Sequence, residues 1–549
     1  MTGPGDGRQL DVCSVLEAIA ARRPHAVCLV AGERRLTWAE VSAHTNRLAH
    51  HLLDAGLGCR TERDVLAGHE SGQDHLAIYL HNGVEYLESM VGAWKARVAP
   101  LNVNYRYVAD ELRYVLADAE ATAIVVHSRC APTLAAVLAD LPALRVIVQV
   151  ADDSGNELLP GAVWWDDALA SAPATCPEVA WSPDDLYILY TGGTTGLPKG
   201  VLWRNGDAMI ECFSVSPTAR SVDDVLAEAT YRLRTLVTPP FMHGAGHWVA
   251  LRVWLGGGSV YVLSAVDHFD PAEAWEVVER EGIEFMLIVG DAFARPLIDE
   301  LERGDHDASS LNVILSGGAA LSEGLKRALL GHLPTVLIVD GLGSSEAGGQ
   351  LTHVSSGGPA GDVTTGSFPA RPGSTVLSAD LTRVLTPADD EVGWLAKSGR
   401  LALGYLGDPD KSARTYPVID GVRYAIPGDR ARWHTDGTIE LHGRDAVTIN
   451  SGGEKIFAEE VEQAVKAHPG VYDCVVAGRP STRWGNEVVA IVRRREGSAV
   501  TAAGLLAEAG RHIARYKLPK GFVFVDEIVR SPSGKADYRW ARQIAVDAP

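Results

Sequence analysis

A short apolar run, Leu186-Tyr187-Ile188-Leu189, leads straight into Tyr-Thr-Gly-Gly-Thr-Thr-Gly-Leu-Pro-Lys-Gly at positions 190–200. The apolar run reads as a buried strand and the segment after it as a tight loop. Thr191, Gly192, Gly193, Thr194, Thr195 and Gly196 place three glycines and three threonines within six residues. Glycine lets the backbone adopt positive φ and come close to a ligand. Successive exposed amides and hydroxyls then form a concave anion site suited to a polyphosphate. Lys199 adds a point charge that can reach the phosphates. The common P-loop is excluded, because Gly-Lys-Ser/Thr is absent and a proline precedes the lysine.

The rest of the chain bounds what surrounds that loop. A length of 549 residues calls for at least two domains. With 46% hydrophobic and 22% charged residues, the composition is that of an ordinary globular protein. No apolar run approaches the roughly 20 residues needed to span a bilayer. The start, Met-Thr-Gly-Pro-Gly-Asp-Gly, lacks the basic-then-apolar pattern of a secretion signal. Seven scattered cysteines without Cys-x-x-Cys spacing suggest neither a disulfide framework nor a zinc site. These features together indicate a cytoplasmic protein. A net charge of −20 argues against nucleic acid as a partner. From Leu441 onward, however, Lys and Arg outnumber Asp and Glu by 16 to 13, leaving −23 on the remainder. A mildly basic module on an acidic body suits a polyanionic small ligand, and chance surface variation accounts for it equally well.

Strand and helix patterns alternate along most of the chain. Thr37 to Leu53 reads as a helix opened by a Thr37-Trp38-Ala39-Glu40 capping box. Leu76 to Leu80 is an apolar strand, followed by helices over Gly83 to Ala96 and Tyr107 to Leu116. Further strands are expected at 123–126, 146–150, 260–263, 285–289 and 336–339. That alternation implies an α/β architecture with parallel sheets. Ser355 to Gly366, rich in Gly, Ser and Thr, reads as a surface loop. The pattern changes near Leu441. Trp433 to Leu441 looks like a hairpin turning at Asp436-Gly437. Beyond Arg444 a compact unit follows: helix 458–467, strands 474–477 and 488–492, helix 502–514 and strand 522–525. The expected division is a large domain over 1–441 and a small α+β domain over 442–549.

The loop at 190–200 resembles, nearly residue for residue, the phosphate loop of adenylate-forming enzymes, which include acyl-CoA synthetases, luciferases and peptide-synthetase adenylation domains. Five further blocks match that family in order, so the resemblance covers nearly the whole chain. Pro239-Pro240-Phe241-Met242-His243-Gly244 is similar to the block beside the carboxylate pocket, which implies that His243 orients the acid or gates the site. Ser316-Gly317-Gly318-Ala319-Ala320, after a strand at 313–315, resembles the loop along the adenine, and assigns Gly318 and Ala319 to it. Asp340-Gly341-Leu342-Gly343-Ser344-Ser345-Glu346 resembles the block that holds nucleotide and metal. Asp340, Gly341, Leu342 and Ser345 would then touch the nucleotide, and Glu346 would bind Mg²⁺, a hard cation usually shared with substrate phosphates. Asp429, in Gly428-Asp429-Arg430, matches the ribose-binding carboxylate, whose two oxygens can accept from both hydroxyls. Arg444 matches an arginine that contacts the nucleotide near a hinge. Lys535, in Ser531-Pro532-Ser533-Gly534-Lys535, matches the lysine that reaches the adenylating carboxylate and α-phosphate.

The resemblance implies ATP (released as AMP), Mg²⁺ and coenzyme A as cofactors. It also implies a small domain that rotates between half-reactions. One face would present the lysine loop, and the other Ser451-Gly452-Gly453-Glu454-Lys455, whose Gly452 and Gly453 admit the pantetheine thiol. Three positions depart from the family. Leu342 replaces an aromatic ring against adenine, a loss on the order of 1 kcal/mol, expected to weaken ATP binding more than that of an acyl-adenylate. Ala446 occupies the hinge position, and Asn486 replaces a frequent Glu. The run 190–203 and Gly290-Asp291-Ala292-Phe293-Ala294-Arg295-Pro296 look most like actinobacterial ligases for fatty and steroid acids. Small residues at Gly244, Ala245, Gly246, Gly256, Gly257 and Gly258 either leave room for a bulky acid or serve as turns. The expected activity is acid–CoA ligation through an acyl-adenylate. Three rivals are a ligase confined to the thioester step on a preformed acyl-adenylate, an enzyme loading a carrier protein, and a binding relative without catalysis. A homodimer is compatible with the sequence.

Overall fold

The computed structural model describes residues 10–191, 197–228, 232–358, 363–451, 454–481, 484–532 and 534–548. The alternating strand–helix pattern builds two eight-stranded sheets, mostly parallel. One runs, in spatial order, Gly404–Tyr405, Lys199–Arg204, Leu186–Thr191, Ala99–Asn102, His75–Tyr79, Ala123–His127, Val146–Val150 and Val163–Trp164. The other runs Gly348–Ser355, Leu337–Ser344, Val313–Gly317, Phe285–Ile288, Arg234–Val237, Ser259–Val262, Val27–Ala31 and Arg34–Thr37. Central strands such as His75–Tyr79 and Ala123–His127 are buried at every position, which is why they read as continuous apolar runs.

The helix Val84–Lys95 is likewise buried at all of its positions, because it packs against strands of both sheets. Trp94 lies within it, and its indole N–H donates to the Leu186 carbonyl at 3.0 Å, fixing the strand that leads to the Gly/Thr loop. Full burial of such a side chain contributes about 1.5–3 kcal/mol. The capping box closes as expected on helix Trp38–Asp54, with Thr37 and Glu40 bonded reciprocally.

A third, antiparallel sheet carries the hairpin Asp429–Trp433 and Thr438–Arg444. Both hairpin strands run longer than the apolar pattern suggested, since their outer residues are charged. A 3₁₀ turn, Asp445–Val447, joins this sheet to a five-stranded one. In the small sheet Cys474 and Val476 face one apolar cluster, which includes Val461 and Val465 of helix Ala458–Lys466. Val475 and Ala477 face the opposite cluster, with Ala541 and Ala545 of helix Tyr538–Asp547. This period-two division covers both faces of the sheet.

One expected element is shorter than its pattern. The helix over 502–514 stops at Ala509, where Gly510 follows and a 3₁₀ turn, Arg515–Lys517, takes over. Glycine disfavours continuation of a helix at an exposed end. Of the Gly/Ser/Thr-rich segment 355–366, the described part is held in place: Thr364 O accepts from the buried Lys326, and Thr365 Oγ1 donates to Leu321 O at 2.8 Å. All seven cysteines are free thiols. Among the described residues no helix is long and apolar enough to cross a membrane.

Candidate active site

The parallel strands Phe285–Ile288, Val313–Gly317 and Leu337–Ser344 end together, and their carboxyl ends carry Val289, Gly318 and the turn to Glu346. Open α/β sheets bind ligands at such ends. Gly318 takes φ +87°, a left-handed conformation that favours glycine, and it lies against the lysine: a Cβ there would be in ordinary contact with Lys535 Cε at 3.7 Å. The hairpin sets Asp429 opposite Arg444 in register, with Arg444 Nε 3.4 Å from Asp429 Oδ1. Asp429 is buried and holds the guanidinium firmly charged.

Lys535 meets this pair in the cleft, where it interacts electrostatically with Arg444, Glu346 and Asp429. Its side chain stays open to water along the cleft wall while protein crowds its ammonium. Desolvation first, and the charge of Arg444 second, pull it down to about 8. Glu459 borders the same cleft beside Gly443. Desolvation, then Glu462 and Asp429, push its carboxyl up to about 7.

His243 caps helix Gly244–Leu255, and its buried Nε2 has no hydrogen-bond partner among the described residues. Burial, then the charge of Lys535, hold the imidazole down to about 3, so it is neutral at physiological pH. A buried ring nitrogen without a partner leaves one polar contact to be made by a ligand. The backbone around it is fixed by two asparagines that the sequence reading passed over. Asn102 accepts from Tyr190 N at 2.7 Å and donates to Tyr190 O at 2.9 Å and Met242 O at 2.6 Å, tying the Gly/Thr-loop strand to the His243 block. Asn82 accepts from Phe241 N at 2.7 Å and donates to Pro239 O.

The chain matches the AMP-binding enzyme model over residues 16–406 and the AMP-binding enzyme C-terminal domain over 460–535. The chain belongs to the AMP-binding enzyme family. It is 52% identical to the medium-chain acyl-CoA ligase Mig of Mycobacterium avium, covering 98% of each chain. It is 38% identical to a medium/long-chain-fatty-acid–CoA/3-oxocholest-4-en-26-oate–CoA ligase of Mycobacterium tuberculosis, covering 97% of this chain and 96% of that protein. The fold is similar to that of the anthranilate CoA ligase AuaEII in complex with anthranoyl-AMP, with a TM-score of 0.82, 20% identity and 98% of both chains covered.

In this AMP-binding enzyme the residues expected to act together divide into two groups. Lys535, Asp429, Arg444, Glu346, His243 and Gly318 converge. Lys199 does not join them directly: it pairs with Asp118 at 2.9 Å, and that carboxylate also accepts from Tyr190 and Tyr114. Thr191 lies opposite Lys199 across the strand pair. Gly192, Gly193, Thr194, Thr195 and Gly196 lie outside the described residues, as do Gly452 and Gly453. Asp340 has its carboxylate engaged by the fully buried Lys326, and Gly341 sits beside Gly317 in the ladder. Ser345 accepts from the Trp203 indole at 2.7 Å through its carbonyl. Leu342 pairs across the ladder with Leu351 and packs against the apolar cluster that contains Leu351, Phe368 and Ile439.

Glu346 accepts from Tyr405 at 2.8 Å through Oε1, and its carbonyl accepts from Tyr416. The turn around it is anchored by Lys397, another residue without a sequence signal. Lys397 donates to Ala347 O at 2.9 Å and Gly349 O at 2.6 Å and pairs with Glu211. Among the described residues no cluster of three or more His, Cys, Asp or Glu could hold a metal alone. A Mg²⁺ at Glu346 would therefore complete its oxygen shell from phosphate and water, as Mg²⁺ commonly does. Enzymes of this acyl-CoA ligase branch use ATP, Mg²⁺ and CoA.

Of the six small residues noted near the pocket, Gly256 alone lines the cavity described below. Gly246 and Gly258 serve close backbone packing instead. A Cβ at Gly246 would lie 2.6 Å from Pro240 O, and one at Gly258 2.7 Å from Leu233 O.

Proposed function

We propose that this enzyme activates a bulky apolar carboxylic acid, of the fatty, steroid or diterpenoid type, as its acyl-adenylate and then transfers the acyl group to CoA. The observation that carries the reading is the convergence of Lys535, Asp429, Arg444, Glu346 and His243, whose buried Nε2 has no partner among the described residues, together with a largely apolar cavity farther along the helix that begins after His243. That cavity measures about 720 Å³. Its walls include Phe213, Val249, Val253, Phe285 and Leu315. One wall is the helix that His243 caps. At 1.5 Å per residue, Val249 to Gly256 lie roughly 9 to 20 Å along the axis from His243. A long or polycyclic acid laid along this helix would bring its carboxylate to the cluster. The names of the two relatives, a medium-chain ligase and a fatty-acid and oxo-steroid-acid ligase, favour the same substrate class.

Each side chain has a role that follows from its chemistry. The neutral His243 would orient the carboxylate by a hydrogen bond without neutralising the nucleophile. Asp429 would accept from the ribose hydroxyls while Arg444 holds it in place. The Lys535 ammonium would stabilise charge building between carboxylate and α-phosphorus. Glu346 would hold Mg²⁺, which supplies further charge neutralisation on the phosphates. Lys199 would exchange Asp118 for a phosphate. The domains 1–441 and 442–549 would move as units about the turn Asp445–Val447.

Screening carboxylic acids by mass spectrometry, with ATP and with or without CoA, tests this reading. Long-chain or polycyclic acids should yield acyl-adenylate alone and CoA thioester when CoA is added. Failure of every apolar acid to form an adenylate would sink it. The pH dependence offers a second check. Only the cationic form of Lys535 can stabilise the developing charge, and its ammonium titrates near 8. kcat/KM for adenylation should therefore fall as pH rises through about 8, and Lys535→Arg should move that limb upward. For the thioester step, Gly453→Trp should let acyl-adenylate accumulate with CoA present, because a bulky ring would plug the thiol's approach. Normal thioester turnover by that variant would remove the proposed tunnel.

A further inference from the structure

The Gly290–Pro296 segment stood out in the sequence, and the site itself gives it no task. In the structure it is bonded to the large domain on one side and touches the small domain on the other. Gly290 N donates to Ser316 Oγ at 3.1 Å, and Asp291 N donates to Ala320 O at 3.2 Å, so the segment is fixed to the loop that carries Gly318. Asp291 Oδ1 accepts from Ser322 N at 2.7 Å. Its other oxygen takes Lys466 Nζ of the small domain at 2.6 Å, in an ion pair whose side chains are only 10% and 11% exposed.

Two more contacts flank that pair. A Cβ at Gly534 would lie 3.2 Å from Ala292 Cβ, from the Phe293 ring and from Val289 O, so the residue preceding Lys535 is pressed onto this segment. The Arg295 guanidinium stands 5.9 Å from the Tyr472 ring. Within the small domain, Arg530 pairs with Asp473 at 2.7 Å and donates to Gly534 O at 3.0 Å. Lys466 interacts electrostatically with Asp473 as well. A continuous set of charges therefore runs from Asp291 through Lys466, Asp473 and Arg530 to the backbone that holds Lys535.

We infer that Asp291 and Lys466 are positioning residues, and that their buried ion pair seats the lysine loop in the cleft for adenylation. This rests on the ligase reading above, with Lys535 acting in adenylation. Rotation of the small domain for the thioester step must separate the two charges. A buried pair costs most when one partner is removed and the other stays desolvated. Neither residue touches the reacting atoms.

The test uses the full chain with Asp291→Asn, Lys466→Met and the double variant. Asp291→Asn keeps an acceptor for Ser322 N. Two half-reactions are read separately: acid-dependent ATP–pyrophosphate exchange, and CoA thioester formation from a synthetic acyl-adenylate. A lysine displaced by about 1 Å should lower exchange by about 10²-fold. Thioester formation should stay within about twofold of wild type or rise, and its persistence certifies that the variants fold. The double variant should be no worse than the poorer single one, since both changes break one contact. Equal loss in both half-reactions, undiminished exchange, or multiplicative losses in the double variant would overturn the inference. Wild-type protein inert in both assays would instead overturn the ligase reading, and the inference with it.

Discussion

Lys535→Ala is expected to lower adenylate formation by roughly 10²–10³-fold, the usual loss when one preorganised charge stabiliser is removed from an active site. Thioester formation from supplied acyl-adenylate should be spared. The lysine lies against Gly318 in the cleft, and it meets Arg444, Asp429 and Glu346 there. The turn behind it is tight, with Ser531 N bonded to Lys535 O at 2.8 Å and Gly534 N to Ser531 O at 2.8 Å, so little freedom remains at its base. In the thioester step the proposed rotation withdraws this loop, so the lysine has nothing to stabilise. Pyrophosphate exchange and thioester formation, measured separately, decide the matter. Equal loss in both would place Lys535 among residues that merely support the fold.

Lys397→Met is expected to destabilise the large domain by about 1–3 kcal/mol and to weaken Mg²⁺-ATP use together with it. The side chain is only 6% exposed, and it satisfies two carbonyls and the Glu211 carboxylate at once. Methionine fills similar volume but donates nothing. Glu211, itself 17% exposed, would lose its partner, and Ala347 O and Gly349 O would lose their donor. Those carbonyls follow closely after Glu346, so the turn that aims the carboxylate loosens when they are released. The expected readout is a lower unfolding midpoint and a higher KM for Mg²⁺-ATP, with KM for the acid less affected. Unchanged stability with normal adenylation would show that the Lys397 contacts hold nothing in place.

Leu342 bears on the same turn. Its side chain packs against the Leu351–Phe368 cluster. The expectation that ATP binding is weakened relative to acyl-adenylate binding is unaffected by this placement.

The sequence by itself determined whatever depends on neighbours along the chain. The Thr37–Glu40 capping box, the turn at Asp436-Gly437 and the apolar runs of the parallel strands are short-range patterns, and each was found where its spacing placed it. Asp429 and Arg444 were legible as a pair of motif positions, and the hairpin register makes them neighbours. Family motifs further marked Lys535, His243 and Glu346 without reference to any contact. Tertiary structure alone decided which charges meet. Asp291 and Lys466 are 175 residues apart, and Lys397 and Glu211 are 186 apart. No periodicity records such a distance, because burial of a charge pair depends on how separate elements stack rather than on local backbone preference. The same holds for Lys199, which spacing aimed at phosphate and packing gave to Asp118. It holds too for Gly246 and Gly258, whose missing side chains make way for a carbonyl brought near only when the chain is folded.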